Sequence, residues 1–313
     1  MSAATPGFPV QVLLPEQEIV ADLHAALAKR TLDERFFYWL PESVDAWVQL
    51  CSASQYRNSS RALQLLTAAA PVIAERYRLT RCLCGVGCGE GSKDYILLKA
   101  FFDRGRRLAY VAADFSQALL ERALTTAAPC ARRLLGIKFD VFREVHLAAL
   151  MQPESPMLFA TLGNTLGAFD PRLFPRRMRS LVRVGDRVLF DGEIFAGEET
   201  LRGYDNPENR KFAFAPLAGV GIQESDGDLV FELRPGQRGT YEVCKHFTFH
   251  REVEARLGGH TYVFAAGERI EMSSSVKYDE GVLPRMVEGG GFQVEETWRS
   301  DDGGFMLLAA APR

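Results

Sequence analysis

The segment Cys82-Leu-Cys-Gly-Val-Gly-Cys-Gly-Glu-Gly-Ser-Lys-Asp94, followed by Tyr110-Val-Ala-Ala-Asp114, decides the fold of this 313-residue chain. A short apolar run breaks into alternating glycines, and apolar side chains at helical spacing follow directly. A second apolar run then ends at Asp114. Glycines let the backbone approach a ligand closely, and an acid at a strand tip accepts hydrogen bonds from ribose hydroxyls. The two segments therefore predict a β-loop-α-β unit that binds a nucleoside-bearing cofactor.

Acidic residues in this loop distinguish between two classes of cofactor. In the dinucleotide motif a helix N-terminus holds a pyrophosphate, but here Glu90 and Asp94 crowd that place. A sulfonium cofactor with an amino-acid tail carries positive charge and tolerates nearby acids. We therefore predict S-adenosylmethionine (SAM) as the cofactor. An ordinary strand-to-helix turn and a nicotinamide-dependent oxidoreductase are the alternatives.

Composition limits the class of protein. The chain is 47% apolar and 25% charged, with 37 basic and 40 acidic residues and a net charge of −3. This balance predicts a globular protein that binds neither nucleic acid nor an anionic membrane. No apolar segment approaches a membrane span, and Met1-Ser-Ala-Ala-Thr-Pro6 does not resemble a secretory leader. The six cysteines fit neither a disulfide scaffold nor a zinc site, so we expect a reducing cytoplasm.

Strand and helix patterns alternate from Leu79 onward, which predicts an α/β fold with a parallel, doubly wound sheet. Amphipathic helices precede this region, and residues 1–15 are expected to be extended or loose. The predicted strands of the sheet are 82–86, 108–113, 137–142, 156–162 and 186–190.

The pattern changes after residue 200. Residues 203–210 are predicted to form a polar loop, and alternating segments between 229 and 264 predict antiparallel hairpins. A helix at 280–288 and two further strands are expected to complete the main sheet.

Separated landmarks follow one another along nearly the whole chain. They are Phe36-Phe-Tyr38, Gly87-Cys-Gly-Glu-Gly-Ser-Lys93, Tyr110-Val-Ala-Ala-Asp114-Phe-Ser116, Leu162-Gly-Asn-Thr-Leu-Gly-Ala-Phe-Asp-Pro171, Gly203-Tyr-Asp-Asn206, Ser275-Val-Lys-Tyr278 and Trp298-Arg-Ser-Asp301. Together they resemble the histidine Nα-methyltransferase family of ergothioneine biosynthesis and its relatives, the dimethylallyltryptophan N-methyltransferases.

The resemblance implies a Rossmann-like class I SAM-dependent methyltransferase fold with a second, α+β substrate domain. Residues 1–65 would be the N-terminal helical part of the substrate domain, and residues 66–200 the SAM-binding domain. Residues 201–272 would be the inserted α+β part of the substrate domain, and residues 273–313 the helix and strands that complete the methyltransferase sheet.

Six residues are predicted to bind the cofactor. The backbones of Gly87 and Gly89 are placed beside the methionine tail and Asp114 at the ribose. The resemblance adds Asp140 at the adenine amine and Thr161 near the end of the fourth strand of the sheet. Lys93 is either a partner of the cofactor's carboxylate or a solvated lysine at a helix start.

Three tyrosines are candidates for the substrate pocket, because a phenol can donate to or accept from an amine while its ring excludes water. They are Tyr38, Tyr56 and Tyr204, of which Tyr38 and Tyr204 are predicted to be catalytic; an ordinary core role is the alternative for each. Ala168, Ser273 and Ser275 are further candidates for substrate contacts. Asp205 either fixes its loop or accepts a substrate ammonium, and Glu193 is placed near the mouth of the site.

Departures from the resembled family bear on the substrate. Ala168 stands where histidine-specific members have an asparagine that holds the substrate's amino and carboxylate groups. Ser273 stands where they have an acid that contacts imidazole, and Gly85 replaces the acid that opens the cofactor loop. We therefore expect a substrate other than histidine.

Two histidines, His246 and His250, share one face of a predicted strand with Cys244 and Thr248. A metal site would use such side chains, but no supporting ligand pair accompanies them. We favour half-exposed hairpin residues and predict no metal.

The sequence therefore predicts a SAM-dependent N-methyltransferase for a small amino acid or amine, in a specialised biosynthetic pathway. Changed pocket positions beside intact cofactor motifs favour an altered substrate. The alternative is a SAM-binding regulatory or partner protein of the same fold that has lost catalysis. The sequence leaves open the substrate, the number of methyl groups transferred and the oligomeric state.

Overall fold

The computed structural model describes residues 7–313, so the predictions for the leader and for the first six residues fall outside it. The described helices are α1 (Glu16–Lys29), α2 (Pro41–Ser52), α3 (Arg57–Arg76), α4 (Ser92–Phe102), α5 (Gln117–Ala127), α6 (Glu144–Leu147), α7 (Leu173–Leu181), α8 (Glu198–Tyr204), α9 (Pro207–Ala218) and α10 (Val282–Gly289). The strands are β1 (Val10–Val12), β2 (Cys82–Val86), β3 (Ala109–Asp114), β4 (Arg133–Lys138), β5 (Met157–Thr161), β6 (Arg187–Glu193), β7 (Gly227–Pro235), β8 (Thr240–Phe249), β9 (Val253–Leu257), β10 (His260–Phe264), β11 (Arg269–Tyr278), β12 (Phe292–Arg299) and β13 (Phe305–Pro312).

The main sheet has the order β1-β4-β3-β2-β5-β6-β13-β12. β13 runs antiparallel to both of its neighbours, and the strands from β1 to β6 are parallel. Every residue of β2, β3 and β5 is buried, because helices cover both faces of the sheet. This arrangement confirms the predicted α/β fold with a doubly wound sheet. Its strand order reverses at β2, and ligands bind at such a reversal, beyond the carboxyl ends of the strands.

A second layer of strands packs separately. β11, β8 and β7 form an antiparallel three-stranded sheet, and β9 pairs with β10. Their apolar faces join α1, α2, α9 and the 3₁₀ helix Glu34–Tyr38 in a core of their own. Two other cores lie against the main sheet.

The proposed domain division stays a prediction, and two elements run across its boundaries. α3 is continuous through residues 65 and 66 and packs in the same core as α4. β11 continues through residues 272 and 273, and its bonds to β8 reach Tyr278. Tyr278 also bridges to Ile194 after β6, so β11 connects the second sheet to the main one.

Two local predictions are wrong. Residues 203–210 are not a polar loop, since they end α8 and begin α9. Asn206 caps α9 by accepting a hydrogen bond from the backbone N of Asn209 at 2.9 Å, and Pro207 starts the helix. The third predicted strand, residues 137–142, corresponds to β4, which ends at Lys138. The chain turns there, because the Asp140 carboxylate accepts a hydrogen bond from the Phe142 backbone N. The N-terminal segment, expected to be extended or loose, is extended at Val10–Val12, where β1 pairs with β4.

None of the helices in the described part of the chain combines the length and apolar character needed to cross a membrane.

Gly85 allows a buried carboxylate to pack on the middle of β2. A Cβ at this position would lie 1.8 Å from Oδ2 of Asp94. That oxygen accepts a hydrogen bond from the Tyr110 hydroxyl at 2.6 Å, and Asp94 is buried. The glycine in place of the expected acid thus leaves space that Asp94 of α4 fills.

We expect Gly85→Ala to lower the free energy of unfolding by about 1–3 kcal/mol, because the added methyl group must displace Asp94 from Tyr110. Gly203→Ala in α8 is the matched control, since nothing lies within 4 Å of its Cβ position. Urea denaturation of both variants measures the difference. Equal stability of the two variants would contradict the packing of Asp94 on Gly85.

Asp94 also makes stability depend on pH. Burial raises the pKa of its carboxyl to about 7, against the opposing hydrogen bond from Tyr110. The folded protein therefore keeps a proton that the unfolded chain releases above about pH 4, and this contribution to stability is lost as pH rises toward 7 and beyond. We expect Asp94→Asn to lose less stability between pH 5 and pH 8 than the wild type, as measured by urea denaturation. Asp301→Asn, at an exposed position, is the control and should keep the wild-type slope.

Candidate active site

One cavity lies beyond the carboxyl ends of β2, β3 and β5, at the reversal of strand order. The glycine loop after β2 and the residues after β4 form one wall. The 3₁₀ helix Glu34–Tyr38, α2, α9 and the second sheet form the other. Two chemically different walls therefore face a single space.

Gly89 exposes the backbone of the loop to this cavity. Its φ is +56°, a conformation that side chains other than glycine rarely adopt, and nothing lies within 4 Å of its Cβ position. The backbone N–H groups of Gly87 and Cys88 donate to Ala113 O, which attaches the loop to β3. Gly87 and Gly89 both line the cavity, as a cofactor loop requires.

Asp114 ends β3 on the same wall. Its Oδ2 accepts from the Gly89 backbone N and its Oδ1 from the Ser116 backbone N, each at 2.9 Å. Burial raises the pKa of this carboxyl, while the two backbone hydrogen bonds oppose the shift. The carboxylate is held rigidly beside the loop, where a ribose would meet it.

Lys93 lines the cavity beside Gly163. Burial opposes its charged form, but the nearby carboxylates of Glu90 and Asp191 raise its pKa above the usual value. A permanent cation at this end of the cavity suits a carboxylate of the ligand.

Asp140 and Thr161 lie in different settings. Asp140 lines the cavity, but its Oδ2 lies 2.7 Å from an Arg35 nitrogen and 3.6 Å from Arg143. A contact with adenine stays a prediction, and it would have to share this ion-paired carboxylate. Thr161 is fully buried within β5 and does not line the cavity, whereas the next residue, Leu162, does. A cofactor contact of the Thr161 side chain therefore has no support in the geometry.

Aromatic rings form the opposite wall. Tyr38 packs against Trp47 and Phe212 with ring centroids 5.2 and 5.3 Å apart. Tyr56 meets Tyr204 edge to face at 6.0 Å. All five line the cavity, so the three predicted tyrosines do come together there.

Tyr204 belongs to a buried ionic network. Its hydroxyl accepts from Lys277 Nζ at 2.7 Å and from Asn58 at 3.1 Å, and it donates to Glu193 at 3.2 Å. Lys277 Nζ lies 3.0 Å from Glu193, and Asn58 donates to the same carboxylate at 2.6 Å. Burial raises the pKa of Tyr204 and lowers that of Lys277. Tyr204 is thus a neutral phenol whose hydroxyl is already bonded on all sides.

Ser275 connects this network to the cavity wall. It accepts from Lys277 at 2.6 Å and from the Asn164 side chain at 3.1 Å. Ser275, Asn164 and Ala168 all line the cavity, so two of the predicted substrate positions lie where expected. The Ala168 methyl group offers no hydrogen bond to a ligand.

Ser273 has a different setting. It lies at a β-bulge, where the register of β11 against β8 shifts, and its hydroxyl donates to Glu34. Glu34 lines the cavity, also accepts from Tyr38 at 3.0 Å, and lies 3.5 Å from Lys245 Nζ. The chain thus supplies a carboxylate from its N-terminal part beside the position where the resembled family has its acid.

Sequence reasoning missed Glu34, Asn58 and Lys245. One signal was present for Lys245, since it interrupts the apolar alternation Val243, Phe247 on β8. Asn58 and Glu34 carry no local signal, because their partners lie far away in the chain.

The remaining candidates have structural settings. Asp205 lies 2.6 Å from Arg210 and is half-exposed, so it fixes the junction of α8 and α9. His250 lies 2.7 Å from Asp228. Within residues 7–313 there is no cluster of three or more His, Cys, Asp or Glu side chains arranged to hold a metal ion.

Comparison with known proteins gives a consistent picture. Residues 16–214 and 237–312 match the model of a family described as histidine-specific, SAM-dependent methyltransferases. N-methyltransferase fsqC of Aspergillus fumigatus is 24% identical over 234 residues, which cover 70% of this chain and 63% of that protein. The match therefore spans less than two thirds of that relative. N-methyltransferase dtpB of Aspergillus flavus is 24% identical over 274 residues, covering 81% of this chain and 77% of that protein.

Among solved structures, a 1,6-didemethyltoxoflavin-N1-methyltransferase of Burkholderia thailandensis with bound S-adenosylhomocysteine superposes with a TM-score of 0.42. It is 11% identical, and the match covers 96% of this chain and 91% of that one.

We expect Asp114→Ala to weaken binding of S-adenosylhomocysteine at least tenfold. The change removes a charged acceptor, worth about 1.5–3 kcal/mol per hydrogen bond, and releases Gly89 N from its partner. Isothermal titration calorimetry measures the dissociation constant, and Asp103→Ala on the exposed end of α4 is the control. An unchanged constant in a folded Asp114→Ala protein would remove Asp114 from the cofactor site.

Proposed function

This chain belongs to the family of histidine-specific, SAM-dependent methyltransferases, and we propose that it is an N-methyltransferase whose acceptor is a small amine or amino acid other than histidine. Membership confirms the resemblance, the class I methyltransferase fold and the SAM dependence expected from the sequence. The observation that carries the proposal is the single cavity that joins the glycine loop and Asp114 to a wall of phenols and carboxylates.

The residues at the first wall fit the cofactor. Open backbone at Gly89, the fixed carboxylate of Asp114 and the cation of Lys93 suit a methionine tail, a ribose and a carboxylate, respectively. When bound, SAM supplies an electrophilic methyl group on a sulfonium centre, so the protein needs no covalent nucleophile.

The second wall suits an amine acceptor. Rings of Tyr38, Trp47 and Phe212 exclude water and hold an apolar body in place. Positive charge moves onto the acceptor nitrogen during methyl transfer, and the carboxylate of Glu34, which lines the cavity, favours positive charge there.

The phenols act as neutral groups in this proposal. Burial, together with Glu34 beside Tyr38 and Glu193 beside Tyr204, raises the pKa of both hydroxyls. Tyr38 and Tyr204 therefore hold the carboxylates of Glu34 and Glu193 in place and do not remove protons as phenolates. A hydroxyl acceptor would need such a base, so the geometry favours an amine that arrives neutral.

The absence of a hydrogen-bonding side chain at Ala168 supports a substrate other than histidine. We place the reaction in a specialised biosynthetic pathway in the cytoplasm, with a small molecule and neither nucleic acid nor membrane as partner. The fourfold division of the chain at residues 65, 200 and 272 remains part of this proposal.

The test is an incubation of purified protein with SAM and a pool of amino acids and amines that includes histidine. Mass spectrometry should detect S-adenosylhomocysteine together with a methylated amine other than histidine. Asp114→Ala, as the cofactor-site variant, should reduce both products at least tenfold.

Three results would go against the proposal. Histidine as the preferred acceptor would overturn the substrate assignment. Retention of SAM with no turnover on any amine would favour the alternative, a non-catalytic SAM-binding protein. No retention of SAM by folded protein would overturn the function as a whole.

A further inference from the structure

A lysine interrupts the apolar face of β8. Val243, Phe247 and Phe249 on this face are buried in the second core, whereas Lys245 between them is 5% exposed and lines the cavity. Burying an ammonium group on an apolar face is costly unless an anion pairs with it. The position of Lys245 therefore requires an explanation from its partners.

The partners within the protein are incomplete. Glu34 Oε2 lies 3.5 Å from Lys245 Nζ, beyond the roughly 2.7–2.9 Å of a charge-assisted hydrogen bond. That carboxylate instead accepts hydrogen bonds from Tyr38 and Ser273. The ring of Phe37 lies 4.3 Å from Nζ. Among residues 7–313, no side chain or carbonyl accepts a hydrogen bond of ordinary geometry from Nζ.

We propose that Lys245 binds a carboxylate on the acceptor substrate, and that this contact selects amino acids over simple amines. The inference rests on the proposed function and narrows its substrate class. The N–H donors of Lys245 face the cavity from its second wall. A carboxylate of the acceptor substrate would accept hydrogen bonds from them there. The carboxylate of Glu34, which accepts hydrogen bonds from Tyr38 and Ser273, lies 3.5 Å from this ammonium group.

The aromatic residues of the same wall indicate which side chain this amino acid carries. Tyr38, Trp47 and Phe212 enclose the cavity next to Glu34 and Lys245. An apolar or aromatic side chain packs favourably against such rings. The structure thus points to an acid-bearing amine with an apolar or aromatic body.

The cofactor is a second source of a carboxylate, and the test separates the two. Lys93 stands at the glycine loop, whereas Lys245 stands on the second sheet. If Lys245 held the cofactor's carboxylate, replacing this lysine would weaken the binding of S-adenosylhomocysteine. We expect the dissociation constant of S-adenosylhomocysteine to stay within twofold in Lys245→Met.

The experiment uses protein loaded with S-adenosylhomocysteine and titrates matched pairs by calorimetry. The pairs are L-tryptophan and tryptamine, L-tyrosine and tyramine, L-phenylalanine and phenethylamine, and L-leucine and 3-methylbutylamine. We expect at least one acid to bind tenfold or more tighter than its amine. Lys245→Met should raise the dissociation constant of that acid at least tenfold and leave that of the amine within twofold. Lys245→Arg should restore most of the lost affinity for the acid.

Lys211→Met is the matched control, since it makes the same change at an exposed position and should alter the binding of neither ligand. The inference is overturned if amines bind as tightly as acids, if no acid binds, or if Lys245→Met weakens S-adenosylhomocysteine instead. Methylation of simple amines by such a protein would still leave the proposed function standing. Failure of the wild type to bind S-adenosylhomocysteine would overturn the proposed function itself.

Discussion

The ion pair between Glu193 and Lys277 is the contact on which the two-walled site depends. Glu193 ends β6 of the main sheet and Lys277 lies on β11 of the second, and both are almost completely buried. A buried pair is tolerable only when its remaining donors and acceptors are satisfied. Asn58 from α3, Tyr204 from α8 and Ser275 supply those partners. One network thus joins both sheets and two helices directly behind the cavity.

The two walls that this network joins present different chemical groups to the cavity. The main sheet presents backbone N–H groups and the Asp114 carboxylate, which suit a nucleoside ligand. The second sheet and the N-terminal helices present rings, Glu34 and Lys245, which suit an acceptor with an apolar body and charged ends. Because the walls come from separately packed cores, the acceptor wall can change while the cofactor loop stays the same.

Local patterns made the main sheet and the cofactor loop predictable. Glycine spacing, buried apolar runs and Asp114 at a strand tip are properties of neighbouring residues, and the structure places them as expected. Contacts between residues far apart in the sequence could not be predicted from such patterns. Glu34 contacts Ser273 and Lys245 across more than two hundred residues, and Asn58 contacts Glu193. The resemblance predicted Asp140 as a cofactor contact, but its ion pair with Arg35, which lies more than one hundred residues earlier, could not be predicted from the sequence. Capping at Asn206 overrode the polar composition that suggested a loop.

Glu34 and Arg35 are adjacent in one short 3₁₀ helix, and both line the cavity. The first meets Ser273 on the acceptor wall, and the second holds Asp140 on the rim beyond β4. Because the two residues are adjacent in this helix, their backbone positions shift together. A substitution that displaces this helix is therefore expected to disturb the Glu34–Ser273 and Arg35–Asp140 contacts together.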